Sequence, residues 1–331
     1  MLKIAIDLGT SSTKIYEIGS GIVLHEPSCV AVNAETKQVK AIGNEAKALV
    51  GKTAEFTSIV FPVFEGEIVN HAMAVVMLDA FLSKIGIKSG RGRVEVLFCV
   101  PCGISDKAKS SVYNVCDDLG ISHLHFVEVP YLSALGQDLP ISDSNPAFVI
   151  DVGAGTTNIA VLSLDGIIAG ASLNIGGSNM DVHIIDHVAE HFGLKIGSLT
   201  SERLKNTVGS LAEGDNQSTV VNGRDITTGR PRSVAVSSSD ISYPVRVYID
   251  KVLEYIGMIL KKLPAEVSAS ICKSGVHLSG GVSKLVGLGE YVEQKLDMEA
   301  HVCDEPQMAV ILGAGRAIGN PATLKKIKME F

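Results

Sequence analysis

The sequence predicts a duplicated α/β protein, and three observations carry that prediction. Strand-like and helix-like runs alternate along the whole chain, the pattern of a mixed protein rather than of a bundle or a sandwich. One turn motif occurs twice: residues 6–22 read IDLGTSSTKIYEIGSGI and residues 150–166 read IDVGAGTTNIAVLSLDG. The length of 331 residues suits two domains of ordinary size.

The elements follow in order. MLKIAID opens the chain as a buried-strand pattern, which leaves no room for a signal peptide. RVEVLFCVP (93–101) reads as a buried strand, and SDKAKSSVYNVCDDLG as a capped amphipathic helix ending at Gly120. HLHFVEVP (123–130) is strand-like, and YLSALGQ turns helical. A second half begins near Asn145–Pro146. In it SNMDVHIIDHVAEHFG predicts a helix opened by a Ser-x-x-Asp capping box and closed at Gly193. The polar segment 214–240 predicts an inserted hairpin. DKVLEYIGMILKKL has helical period, and GVHLSGGVSKLVGLGEYVEQKL reads as strand, glycine turn and helix.

Composition narrows the function classes. Hydrophobic residues make up 46% of the chain, yet no uncharged apolar stretch reaches eighteen residues, so no transmembrane helix is expected. A net charge of -7 argues against nucleic acid as a main partner. Six cysteines without regular spacing predict reduced thiols and a cytoplasmic setting.

The repeated turn predicts a phosphate site. A glycine-rich turn between strands points backbone N–H groups at an anion, and Ser or Thr hydroxyls add donors. Two such turns facing each other across a cleft can hold a polyphosphate from both sides. Asp7 and Asp151 then lie at the cleft floor, where they bind Mg²⁺ directly or through its waters. The competing reading is that each Asp only caps its turn. For a nucleoside, Gly280 and Gly281 offer bare backbone to a flat base. Glu202 and Lys205, three apart on one helix face, suit ribose hydroxyls, unless they simply pair with each other.

With these residues in view, the sequence resembles the actin, sugar-kinase and heat-shock chaperone ATPase superfamily, and within it the bacterial actin family MreB. The resemblance runs from IDLGTSSTKIY to MAVILGAGRAI. DVGAGTTNIAVLSLDGI, GGSNMD, GRDITTGRPR and LSGG stand in MreB-like order, and GRDITTGRPR is the most specific because the wider superfamily lacks it. The resemblance implies an actin-like fold of two duplicated ribonuclease-H-like α/β domains around a nucleotide cleft. It implies a first domain of 1–144 with a small insert near 33–65, and a second of 145–317 with an insert near 179–244. A C-terminal helix, 318–331, returns to the first. Phosphate and Mg²⁺ roles fall on Asp7, Gly9, Thr10, Ser11, Ser12, Asp151, Gly153, Ala154, Gly155 and Thr156. Nucleoside roles fall on Gly177, Glu202, Lys205, Gly280 and Gly281. It further implies ATP or ADP as ligand, head-to-tail filaments that serve cell shape, contact with cell-wall-elongation proteins, and a place at the inner face of the membrane.

Within the family the residue before the Pro of VEVPYLSALG (127–136) is usually a Glu that orients the attacking water. Here it is Val129, with Glu128 beside it. In an extended segment adjacent side chains face opposite ways, so Glu128 serves only if a bulge re-aims it. Slow ATP hydrolysis is expected, with Asp151 and, on the bulge reading, Glu128 as catalytic candidates. Many members bind lipid through an amphipathic N-terminal helix or an apolar loop. Here KIGIKSGRGR (84–93) and the tail TLKKIKMEF offer mainly lysines and arginines, which predicts weak, salt-sensitive contact with an anionic bilayer.

Four motifs are decoys. AKALVGKT (46–53) lacks the first P-loop glycine and follows no buried strand. CVPC (99–102) has redox spacing, but Pro101 blocks a helix between the thiols. HVAEH (187–191) fits an inverted zinc-protease pattern without a further carboxylate motif. GAGRAIG (313–319) is too long for a dinucleotide fingerprint and lies in the wrong place. Rival functions on the same fold are a chaperone, for which no substrate domain is visible, a small-molecule kinase, whose catalytic Asp is not evident, and a filament for plasmid or organelle positioning.

Overall fold

The computed structural model describes residues 1–53, 56–88 and 93–329. The duplication expected from the paired turns appears in the sheet topology. In the first half β1 (Leu2–Leu8), β2 (Ser12–Glu17) and β3 (Gly21–Pro27) form an antiparallel meander. A small three-stranded sheet follows, from β4 (Val30–Asn33), β5 (Val39–Ile42) and β6 (Thr57–Val60), with α1 (Asn44–Lys47) between the last two. The hairpin of β7 (Val63–Phe64) and β8 (Glu67–Ile68) leads into α2 (His71–Lys84). Then β9 (Val94–Val100), α3 (Asp106–Asp118) and β10 (His123–Glu128) complete a five-stranded sheet ordered β10-β9-β1-β2-β3. The helix α4 (Val129–Gly136) closes this half.

The second half repeats the plan. β11 (Ala147–Val152), β12 (Thr157–Ser163) and β13 (Gly166–Leu173) are again a meander. The insert holds α5 (Gly177–Phe192), β14 (Leu194–Lys195), α6 (Ser198–Val208), and the hairpin of β15 (Ser218–Asp225) and β16 (Pro231–Ser237). After α7 (Ser238–Leu260) and α8 (Ala265–Ser274) come β17 (Val276–Ser279), α9 (Leu288–Leu296) and β18 (Ala300–Val302). Their sheet runs β13-β12-β11-β17-β18, so each half is a three-strand meander with two parallel strands added beside its first strand. The chain ends in α10 (Ala309–Gly319) and α11 (Pro321–Ile327).

A shared core joins the halves. Ala5, Leu97 and Val127 of the first sheet, Val149, Ala160 and Leu162 of the second, and Leu132, Ile311 and Ala314 of α4 and α10 are buried in one cluster. The glycines of GAGRAIG serve this packing. A methyl at Gly313 would overlap the Leu132 carbonyl oxygen, and one at Gly315 would stand 2.6 Å from the Tyr16 ring. Their chemistry is close helix approach, not phosphate binding.

One expectation needs correction. Helix α5 does not begin on a Ser178–Asp181 box; it begins at Gly177, and Asn179 accepts the Gly176 N–H at 2.8 Å. Gly176 takes the cap because an added Cβ would stand 2.5 Å from the Ala154 carbonyl oxygen. The tail folds back onto the first half. Asn320 caps α11, Leu324 and Ile327 are buried, Lys326 pairs with Asp165 at 2.8 Å, and the Met329 N–H donates to Phe126. Its apolar residues belong to the core, and the chain end returns to the first sheet.

Candidate functional site

The two Asp-Gly turns are built alike. Hairpin register puts Asp7 opposite Lys14 and Asp151 opposite Asn158. Gly9 N–H donates to the Ser12 carbonyl at 3.2 Å, and Gly153 N–H to the Thr156 carbonyl at 2.8 Å. At both glycines an added methyl would crowd that same carbonyl oxygen, at 2.8 Å and 3.1 Å. The turns meet: a methyl on Gly155 would stand 2.9 Å from the Thr10 Cβ. Together they line a cleft of about 820 Å³ between the halves. Asp7, Gly9, Thr10, Ser11, Ser12, Asp151, Gly153, Ala154, Gly155, Thr156, Gly177, Glu202, Lys205, Gly280 and Gly281 all reach it.

The floor is electrostatically tight. Burial pushes the Asp151 carboxyl up to about 6; the Ser279 hydroxyl, donating at 2.7 Å, pulls the other way, and the charge of Asp7 adds to the rise. Because Ser279 spends its proton on Asp151, Ser133 donates to Ser279 at 2.7 Å, and Gln137 Nε2 donates to Ser133 at 3.1 Å. This chain of donors runs from α4 in the first half to the carboxylate of the second. Lys14, 9% exposed, places Nζ 2.8 Å from Asp7 Oδ2. Burial opposes its charge, but the charge and hydrogen bond of Asp7, with Asp151 beyond, hold its pKa above the ordinary lysine value.

At the other end Glu202 and Lys205 each find another partner. Lys205, 7% exposed, donates to the Gly177 carbonyl and pairs with Asp181, both at 2.8 Å. Glu202 pairs at 2.8 Å with Lys47, which α1 brings across the mouth of the cleft from the first half. Gly280 has φ 86°, and a side chain there would overlap the Val152 carbonyl, so only glycine fits the turn.

Glu128 alone among the candidates stays outside the cleft lining. β10 pairs regularly with β9 through Glu128, without a bulge, and α4 begins at Val129. Glu128 Oε1 accepts the Gly103 N–H at 2.5 Å, while Val129, 8% exposed, faces the cleft. Re-aiming by a bulge is therefore overturned.

The decoys resolve as well. Cys99 is buried in β9, and burial pushes the Cys102 thiol up to about 12, the reverse of a redox-active thiol. His187 and His191 stack at 3.9 Å, but the described residues hold no group of three or more His, Cys, Asp or Glu placed for a metal. Asp7 and Asp151 do fit Mg²⁺, which takes one or two carboxylates and completes its shell with waters and phosphate oxygens.

Sequence reasoning missed Lys14, Asn158, His25 and Lys47, all of which line the cleft. His25 faces Lys14 in register across β2 and β3 and lies 3.2 Å from the Ser12 hydroxyl. Burial, then the nearby Lys14 charge, lowers its pKa. A signal existed for two of the four: a two-strand turn that points Asp7 and Asp151 at a cleft also points their register partners there.

The family model described as MreB/Mbl protein matches residues 1–326. The chain belongs to the MreB/Mbl family. The cell shape-determining protein Mbl of Bacillus subtilis strain 168 is 30% identical over 328 residues, 99% of this chain and 98% of Mbl. The cell shape-determining protein MreB of Escherichia coli K12 is 32% identical over 321 residues, covering 95% and 92%. The crystal structure of MreB5 of Spiroplasma citri bound to AMPPNP superposes with a TM-score of 0.92 at 27% identity over 98% of each chain. The fold of this MreB/Mbl chain is accordingly actin-like.

Proposed function

We propose that this MreB/Mbl protein binds ATP and ADP with Mg²⁺ in the cleft and assembles head to tail into cytoskeletal filaments of the cell-shape type. The observation that carries the reading is the pair of matched turns, each with a carboxylate on the strand before it, facing one another across one cleft. MreB5 of Spiroplasma citri, crystallised with AMPPNP and with ADP, supports it. Backbone N–H groups and hydroxyls of both turns cradle the phosphates; Glu202 and Lys205 serve the ribose; Gly177, Gly280 and Gly281 leave room for the base. Asp7 and Asp151 hold Mg²⁺, which when bound neutralises phosphate charge. Calorimetry with ADP and Mg²⁺ tests the site: Asp151→Ala is expected to weaken binding roughly tenfold or more, the scale of a lost charged contact. Equal affinity would refute the assignment.

The assembly reading draws on the GRDITTGRPR hairpin. Asp225 accepts the Thr227 and Thr228 N–H groups and pairs with Arg232 at 2.9 Å, which fixes the tip and holds its carboxyl down at about 2. Ile226 stands exposed there. A rigid tip carrying an apolar residue suits a subunit contact. Electron microscopy with ATP is expected to show filaments; monomers at every salt and protein concentration tried would count against assembly.

Membrane contact, at the cytoplasmic face, rests on charge. Leu324 and Ile327 are committed to the core, and Arg91 and Phe331 lie outside the described residues. Lys88, Arg93, Lys325 and Lys328 remain as basic groups, each contributing about 1 kcal/mol at most near an anionic surface. Co-pelleting with anionic liposomes is expected at low salt and not at high salt; persistence at high salt would contradict a purely electrostatic contact. Proteins of cell-wall elongation are the partners that the relatives' cell-shape role suggests.

A further inference from the structure

A polyphosphate seated between the turns brings several negative charges to a floor that already carries Asp7 and Asp151. Some cation has to stand there. In the second half the register partner of Asp151 is Asn158, which is neutral and whose Oδ1 already accepts the Cys102 N–H at 3.0 Å. In the first half the register partner of Asp7 is Lys14. The other lysines of the cleft stand away from this floor: Lys47 pairs with Glu202 at the mouth, Lys205 is held by Asp181 and Gly177 at the ribose end, and Lys284 bonds Gln307 at 2.9 Å. An ammonium carries three donors, and Asp7 Oδ2 takes one, so Lys14 keeps donors for phosphate oxygens.

We propose that Lys14 does part of the work of the divalent cation, so that a nucleoside diphosphate or triphosphate stays bound in this cleft when Mg²⁺ is withdrawn. The inference rests on the nucleotide reading above and goes beyond it. Lys14 neutralises Asp7 while the cleft is metal-free, which lowers the repulsion an incoming phosphate meets. Mg²⁺ then adds to affinity without being a condition for it. The strand fixes the lysine stem, so little freedom is lost when the ammonium engages phosphate.

The test is calorimetric titration of ADP into wild type, Lys14→Met and Lys14→Arg, each once with Mg²⁺ and once with excess EDTA. Wild type is expected to lose about tenfold in affinity on chelation, the same step that Asp151→Ala loses with Mg²⁺ present. Lys14→Met is expected to lose about a hundredfold, the upper range for a lost charged hydrogen bond, and Lys14→Arg to resemble wild type. If wild type itself loses a hundredfold or more in EDTA, or if Lys14→Met and wild type lose the same factor, the proposal is overturned while the nucleotide reading stands. If wild type does not bind ADP even with Mg²⁺, the nucleotide reading falls, and this inference with it. Should Lys14→Met fail to fold, Lys14→Gln takes its place in the same titrations, with the same outcomes deciding.

Discussion

Val129→Glu is expected to release phosphate from ATP about 10² times faster than wild type, the lower end of what a positioned general base supplies. Val129 is the first residue of α4 and lines the cleft, yet its side chain has no acceptor with which to orient or deprotonate water. A carboxylate at that place regains one, although burial there costs part of the gain. Glu128→Ala is expected to change the rate by less than about twofold, because the Glu128 carboxylate is spent on the Gly103 N–H. It should instead lower stability by about 1 kcal/mol, the ordinary worth of one such hydrogen bond. Phosphate release and urea unfolding on all three proteins separate these effects. Loss of hydrolysis in Glu128→Ala, with wild type matching Val129→Glu, would return the water to Glu128.

Gly313→Val is expected to destabilise the protein by about 3 kcal/mol or to prevent folding, the cost of forcing bulk into a filled contact. The first added carbon already overlaps the Leu132 carbonyl oxygen, and Gly136 on the same face of α4 is pressed against Ala309 in the same way. Neither helix can yield without disturbing the core the two sheets share. Gly257→Ala is the counterpart. Gly257 lies inside α7 with nothing within 4 Å of an added methyl, so alanine there should stabilise by about 0.5–1 kcal/mol. Urea midpoints for the two variants should move in opposite directions. A common direction would show that helix propensity, not the α4–α10 contact, governs these glycines.

The repeat made most of this legible. A strand ending in Asp, a glycine and a second strand state both a fold unit and a site, and the unit occurred twice, so duplication and cleft came together. Helix α3 was legible because Ser105 and Gly120 bracket it, and α5 at its end because Gly193 adopts the left-handed turn. The start of α5 misled because Ser-x-x-Asp imitates a box, whereas the cap was chosen by the Gly176 contact with Ala154, a neighbour 22 residues away in sequence. Glu202 read as a ribose residue with Lys205 beside it; that Lys47, 155 residues distant, would reach it is a fact of three dimensions only. Glu128 and Val129 show the limit most sharply. Which of two adjacent side chains enters the cleft depends on where the strand stops and the helix starts, a boundary that residue types fix poorly.

The donor chain from Gln137 through Ser133 and Ser279 to Asp151 lies at the floor, and the Lys47–Glu202 pair lies at the rim. The two serine contacts of the floor are buried; the rim pair is partly open to water, where such a pair is easily exchanged for solvent. If the halves part, the rim pair is the contact given up at less cost, and the buried serine chain is the one that holds. A hinge fixed at one end and released at the other works as a caliper, in which a small difference in the width of the object held becomes a larger difference between the tips.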